Sequence, residues 1–163
     1  MKRILASALS AALLMGALAG CGGNTGSGSV SGSGSDASTG GSSSGENVIK
    51  IGVFEPFTGD SASGGKKEYL GMQYANSVTP TVEVGGAEYT VELVPSDNGS
   101  TTDKAMTAAS QLVSEGVSLV LGSYGSGVSI AAGPTFGSAG IPAIGVTCTN
   151  PNVTAGNDYY FRI

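Results

Sequence analysis

The stretch "VSLVLGSYGSGVS", Val117 to Ser129, runs from an apolar segment straight into a turn of glycines, serines and one tyrosine. The apolar part has the length and character of a strand covered on both faces. The turn holds more glycine and more hydroxyls than a plain surface turn requires. Glycine allows another group to approach the main chain closely. The segment therefore reads as a buried strand whose carboxyl end opens onto a helix start.

Working outward, the flanking pattern alternates. "VIKIGVF" (Val48–Phe54) is β-rich, and "EYTVELVP" (Glu88–Pro95) alternates as a strand. Between them, Leu70, Met72, Tyr74, Ala75 and Val78 fall at loosely helical spacing. "STTDKAMTAASQLVSEG" offers hydroxyls for an N-cap, places Ala105, Ala109, Leu112 and Val113 on one face, and stops at Gly116. "VSIAAGPTFGSAG" predicts a broken helix, with Pro134 limiting its first part. "IPAIGV" is a further strand, and "YYFRI" begins a fifth. Strand, helix, strand, helix predicts an α/β fold, a parallel sheet with helices on both faces. In such sheets ligands bind beyond the carboxyl ends of the strands. "GSYGSG" and "TCTNPN" both fall on that edge.

The chain has 163 residues, and its start is of another kind. Lys2 and Arg3 precede an apolar run from Ile4 to Ala19, which reads as a secretory signal over residues 1–20. It is too short and wrongly flanked for a membrane span. Its end, "LAGC", resembles the bacterial lipoprotein signal, which implies lipidation of Cys21 and membrane attachment through the lipid. Cys148 is then left without a disulfide partner. Residues 22–45 are glycine and serine at 18 of 24 positions, so residues 21–45 read as a lipidated cysteine and a disordered linker. Such a tether has a root-mean-square span of about 27 Å. Residues 46–163 remain for one domain.

Charge and composition exclude several functions. The formal net charge is −5, and about −7 once Lys2 and Arg3 are removed with the signal. No basic run exists to bind nucleic acid. "TGDSASGGKK" sits where a P-loop would, but Asp60 stands where the first glycine belongs, and Lys67 where Ser or Thr belongs. "GSGVSI" has Gly125 and Gly127 but Ile130 at the third glycine of a dinucleotide fingerprint. Neither Ser123 nor Ser126 fits the hydrolase elbow G-x-S-x-G. The chain has no histidine, so neither a histidine triad nor a histidine metal site is expected. No metal, no cofactor and no catalysis are expected. Cys148 reads as a small buried apolar residue rather than a nucleophile.

Binding remains. The hydroxyls of Ser126, Thr147 and Thr149, with N–H groups at a helix start, suit a small anion such as a carboxylate. On spacing alone, Ser126 and Thr149 read first as N-caps and turn formers.

"IKIGVFEPFTGDSASGGKKEYLGMQYA", the span from "YTVELVPSDNGSTTDKA" through "IGVTCTNPNVT", and "YYFRI" resemble, in order, the first lobe of the branched-chain amino acid (leucine/isoleucine/valine) binding proteins. These are receptors of ABC importers with the type I periplasmic-binding fold. The resemblance implies ligand contacts at Ser126, Thr147 and Thr149, with the ligand's carboxylate held by hydroxyls and main chain. It implies a second lobe, absent here, so 46–163 is expected to be an incomplete N-terminal lobe. Two positions depart from the pattern. Gly64 replaces an aromatic residue that often covers the ligand, and Thr147 replaces a smaller alanine. Tyr124 is expected to pack beside the site. The implied partners are a small amino acid and ABC permease subunits, on the periplasmic or outer face of the cell membrane. Two other readings stand beside this one: a surface-anchored enzyme on the same scaffold, and a sensory or adhesive lipoprotein that transports nothing.

Overall fold

A computed structural model describes residues 47–163. The signal, Cys21 and the linker expected at residues 1–45 lie outside the described residues.

Strand β1 (Val48–Glu55) is central. It pairs in parallel with β3 (Ala87–Asp97) on one side and β4 (Leu119–Leu121) on the other. Beyond β4 come β5 (Ala143–Gly145) and β6 (Tyr160–Arg162), also parallel. The far edge is β2 (Thr81–Val84), antiparallel to β3. The order is β2-β3-β1-β4-β5-β6. The expected parallel sheet is thus present with one antiparallel edge. That edge is a hairpin missed in the sequence. Gly85 and Gly86, at φ 61° and 82°, supply the two left-handed positions its turn needs.

Side-chain alternation along β1 assigns the helices to faces. Gly52 and Phe54 point one way. A β-carbon on Gly52 would touch Leu112 at 3.1 Å, and the Phe54 ring meets Phe136 edge-on, with centroids 5.5 Å apart. Helices α2 (Thr102–Ser114) and α3 (Ser126–Ala139) therefore cover that face. The core lies between them and the sheet, from Ala105, Ala109 and Leu112 of α2 to Ala132 and Phe136 of α3. Ile51 points the other way, toward α1 (Ala62–Val78). There an apolar groove of about 580 Å³ remains, lined by Ile51, Met72, Ala75, Leu93, Leu121 and Val146.

Helix α2 matches its sequence signals. Thr101 caps it through the Lys104 N–H, and Gly116 follows its end in the left-handed region. Helix α3 does not break at Pro134, contrary to expectation. Pro134 is exposed, so the helix bond it removes, to the Ile130 carbonyl, faces solvent, while Ala132 and Phe136 hold the helix from the other side. Helix α1 also departs from expectation. Met72 and Ala75 line the groove, but Leu70, Tyr74 and Val78 are 65%, 72% and 65% exposed.

Candidate functional site

The loops after β1, β3, β4 and β5 leave one edge of the sheet. Asp97, the last residue of β3, fastens the first two. Its Oδ1 accepts from the N–H groups of Phe57 (2.8 Å), Thr58 (3.1 Å) and Gly99 (2.9 Å). Its Oδ2 accepts from the Thr58 hydroxyl at 2.6 Å. Partial burial alone would raise its pKa, but the Thr58 hydroxyl and the three N–H groups outweigh burial and hold the carboxyl below its usual range.

Asn98, fully buried, joins the β3 loop to the β4 loop. Its Nδ2 donates to the Ser123 hydroxyl (2.9 Å) and the Phe54 carbonyl (3.4 Å), and its Oδ1 accepts the Ser100 N–H (3.1 Å). Gly122 begins the β4 loop at φ 116°. A β-carbon there would collide with the Phe54 carbonyl and approach Glu55 Oε1 to 2.6 Å, so the position admits only glycine. Behind the loop, Cys148 Sγ donates to the Ser123 carbonyl (3.2 Å) and the Tyr160 hydroxyl to the Gly122 carbonyl (2.9 Å). Burial pushes both the Cys148 thiol and the Tyr160 hydroxyl up. Cys148 is 1% exposed and packs as a small neutral group, as its sequence reading expected.

Ser126 opens α3. The N-cap is Gly125 and carries no side-chain cap, so the first-turn N–H groups have no partner within the helix. Gly125, Gly127 and Val128 of this start border a small cavity of about 150 Å³, together with Ser61, Ser100 and Thr102. Ser126 Oγ accepts the Asn150 N–H at 3.3 Å, which brings Ser126 beside the loop of Thr149. Thr149 is exposed, and its carbonyl accepts from Arg162 at 3.5 Å. The Thr147 hydroxyl donates to Glu68 Oε1 of α1 at 2.7 Å. Ser126 thus abuts the loop that carries Thr149, through Asn150, while Thr147 is turned toward α1.

Three features escaped the sequence reading. Glu55 ends β1 fully buried, and its Oε2 accepts the Tyr124 N–H at 2.9 Å. Glu68 reaches toward it from α1. Tyr124 covers Gly64, where a β-carbon would lie 2.5–2.6 Å from three ring atoms. A carboxylate closing an apolar strand, in "VIKIGVFE", was the one available signal for Glu55.

A periplasmic binding protein family profile matches residues 48–163. The chain belongs to the periplasmic binding protein family. Among similar proteins, a Leu/Ile/Val-binding protein homolog 2 of Brucella abortus is 31% identical over 107 residues, covering 65% of this chain and 28% of the relative. An amino acid binding protein of Pseudomonas aeruginosa is 32% identical over 108 residues, with 65% and 28% covered. The leucine-binding protein LivK of Thermotoga maritima superposes with a TM-score of 0.66 at 33% identity, over 71% of this chain and 32% of that one. LivJ of Streptococcus pneumoniae, in complex with isoleucine, gives 0.63 at 32%, over 71% and 33%. The chain thus spans about a third of these relatives, and its fold matches one lobe of a type I periplasmic binding protein.

Proposed function

We propose that this chain is the first lobe of an extracytoplasmic receptor that binds an amino acid of the leucine/isoleucine/valine type and delivers it to an ABC permease. The observation that carries the reading is the uncapped start of α3, with Ser126 against the loop that carries Thr149, at the carboxyl edge of the sheet. N–H groups aligned with a helix axis favour a carboxylate there, and the neighbouring hydroxyls add charge-assisted hydrogen bonds. The relatives' binding of amino acids supports the solute class. Binding without chemistry fits the site: its one thiol is buried with its pKa pushed up, and no histidine exists to activate a hydroxyl. A lipid on Cys21 and the glycine–serine tether would hold the receptor at the membrane within reach of the permease.

The test is thermal unfolding of the complete gene product with each of the twenty amino acids. Ligand at one hundred times its dissociation constant adds about 2.7 kcal/mol of stability, a readily measured shift. Stabilisation by leucine, isoleucine or valine supports the reading. Stabilisation by none of the twenty contradicts it.

A further inference from the structure

Glu55 and Glu68 face each other from β1 and α1, within hydrogen-bonding reach. Each has one satisfied oxygen. Glu55 Oε2 accepts the Tyr124 N–H, and Glu68 Oε1 accepts the Thr147 hydroxyl. Each also has one bare oxygen, Glu55 Oε1 and Glu68 Oε2, and both of these are buried with no partner. Two bare anionic oxygens out of water would suffer desolvation and mutual repulsion together. A single hydrogen between them removes both costs. It makes one residue a neutral acid that donates and the other a carboxylate that accepts.

We propose that Glu55 and Glu68 share one proton, and that this carboxyl–carboxylate bond fastens the loops carrying Tyr124 and Thr147. With Glu55 as the acid, Oε1–H donates to Glu68 Oε2, and the pair carries one negative charge. Burial first, then the hydrogen bond and charge of Glu68, push the Glu55 carboxyl up to about 9, against the pull of the Tyr124 N–H. The proton belongs to the pair, since two coupled acids titrate together. The other ionisable groups nearby are Cys148 and Tyr160, neutral by burial, and Asp60, Lys67 and the Tyr124 phenol, which line one cavity with Glu68.

The consequence has a definite sign. The folded pair keeps a proton that the unfolded chain releases near 4.5. Its contribution to stability is whole below that pH, declines as pH rises, and is gone above about 9. Across that window one retained proton makes the unfolding constant rise up to tenfold per pH unit. When the proton leaves, two adjacent buried charges repel, and Tyr124 or Thr147 loses its anchor. Any loss of solute affinity at high pH rests on the receptor reading; the proton itself does not.

The test compares equilibrium unfolding of the complete protein and of Glu55→Gln between pH 5 and 9. Glutamine can donate to Glu68 and accept from Tyr124, so it mimics the protonated acid. The wild type is expected to lose stability with rising pH by one proton more than the variant. Equal slopes overturn the proposal. Should Glu55→Gln fail to fold, the Tyr124 amide resonance of the wild type decides, because it reports on the Glu55 oxygen. A midpoint near 9 that moves to lower pH in Glu68→Gln supports a shared proton. A wild-type midpoint near 4.5 overturns it. A shared proton in a protein that binds no amino acid would sink the receptor reading alone.

Discussion

The ring of Tyr124 lies against the bare Cα of Gly64, joining the loop after β4 to the first turns of α1. A β-carbon at Gly64 would stand 2.5 Å from one ring carbon and 2.6 Å from two more. Gly64→Ala is therefore expected to drive the ring off its seat. Tyr124 is already 45% exposed and can swing outward, so the stability loss should stay near the low end of the roughly 1–3 kcal/mol seen for overpacking. Ring resonances of Tyr124 should shift markedly in that variant. An unchanged tyrosine environment would show that the contact is not made in solution.

Asp97→Ala should destabilise the fold by about 1–3 kcal/mol at pH 7, because it strips acceptors from two loops at once. The pH dependence has the opposite sign to that of the glutamate pair. The folded pKa of Asp97 lies below its unfolded value, so its contribution is present above the unfolded pKa and is lost as pH falls through the folded one. Urea titrations of wild type and variant should converge toward pH 2. A penalty equally large at pH 2 and pH 7 would mean the carboxylate charge plays no part.

Much of this edge was legible in the sequence, for physical reasons. "VSLVLGSYGSG" announced β4, its loop and the start of α3 because an unbroken apolar run followed by glycines has few other uses. Helix α2 carried its cap, its apolar face and its stop in order. The β2–β3 hairpin was legible but missed: Gly85–Gly86 between "TVEV" and "AEYT" is a two-residue turn signal. Pro134 misled because its lost bond lies on the exposed side of α3, while the buried Ala132 and Phe136 hold the helix to the core. The glutamate pair was not legible, since Glu55 and Glu68 meet only once α1 folds back over β1. The same holds for Thr147, whose hydroxyl finds Glu68 across 79 residues of sequence.

Cys21 is expected to carry the membrane anchor. Cells expressing wild type and Cys21→Ala should partition differently on fractionation, with the wild type in the membrane and the variant soluble. Identical soluble partition would remove the lipid from the proposal.

Residues 46–163 produced alone should bind solute poorly and self-associate. The apolar groove under α1 has nothing over it among the described residues, and the edge strand β6 exposes Phe161 at 52% beside Ile163 at 85%. Exposed apolar edges pair with other chains. Sedimentation should show concentration-dependent mass. A monomeric segment with roughly micromolar affinity would show that this lobe is sufficient by itself.

The most direct measurement is calorimetric titration of the complete protein with leucine, isoleucine and valine, alongside Ser126→Ala, Thr149→Ala and Cys148→Ser. The expected result is saturable one-site binding by the wild type. Each hydroxyl variant should be weaker by about 1–3 kcal/mol, the cost of leaving a buried charged partner short of a hydrogen bond. Cys148→Ser should change affinity far less. Wild-type affinity retained in both hydroxyl variants, or no binding of any of the three amino acids, would contradict a carboxylate held at the start of α3.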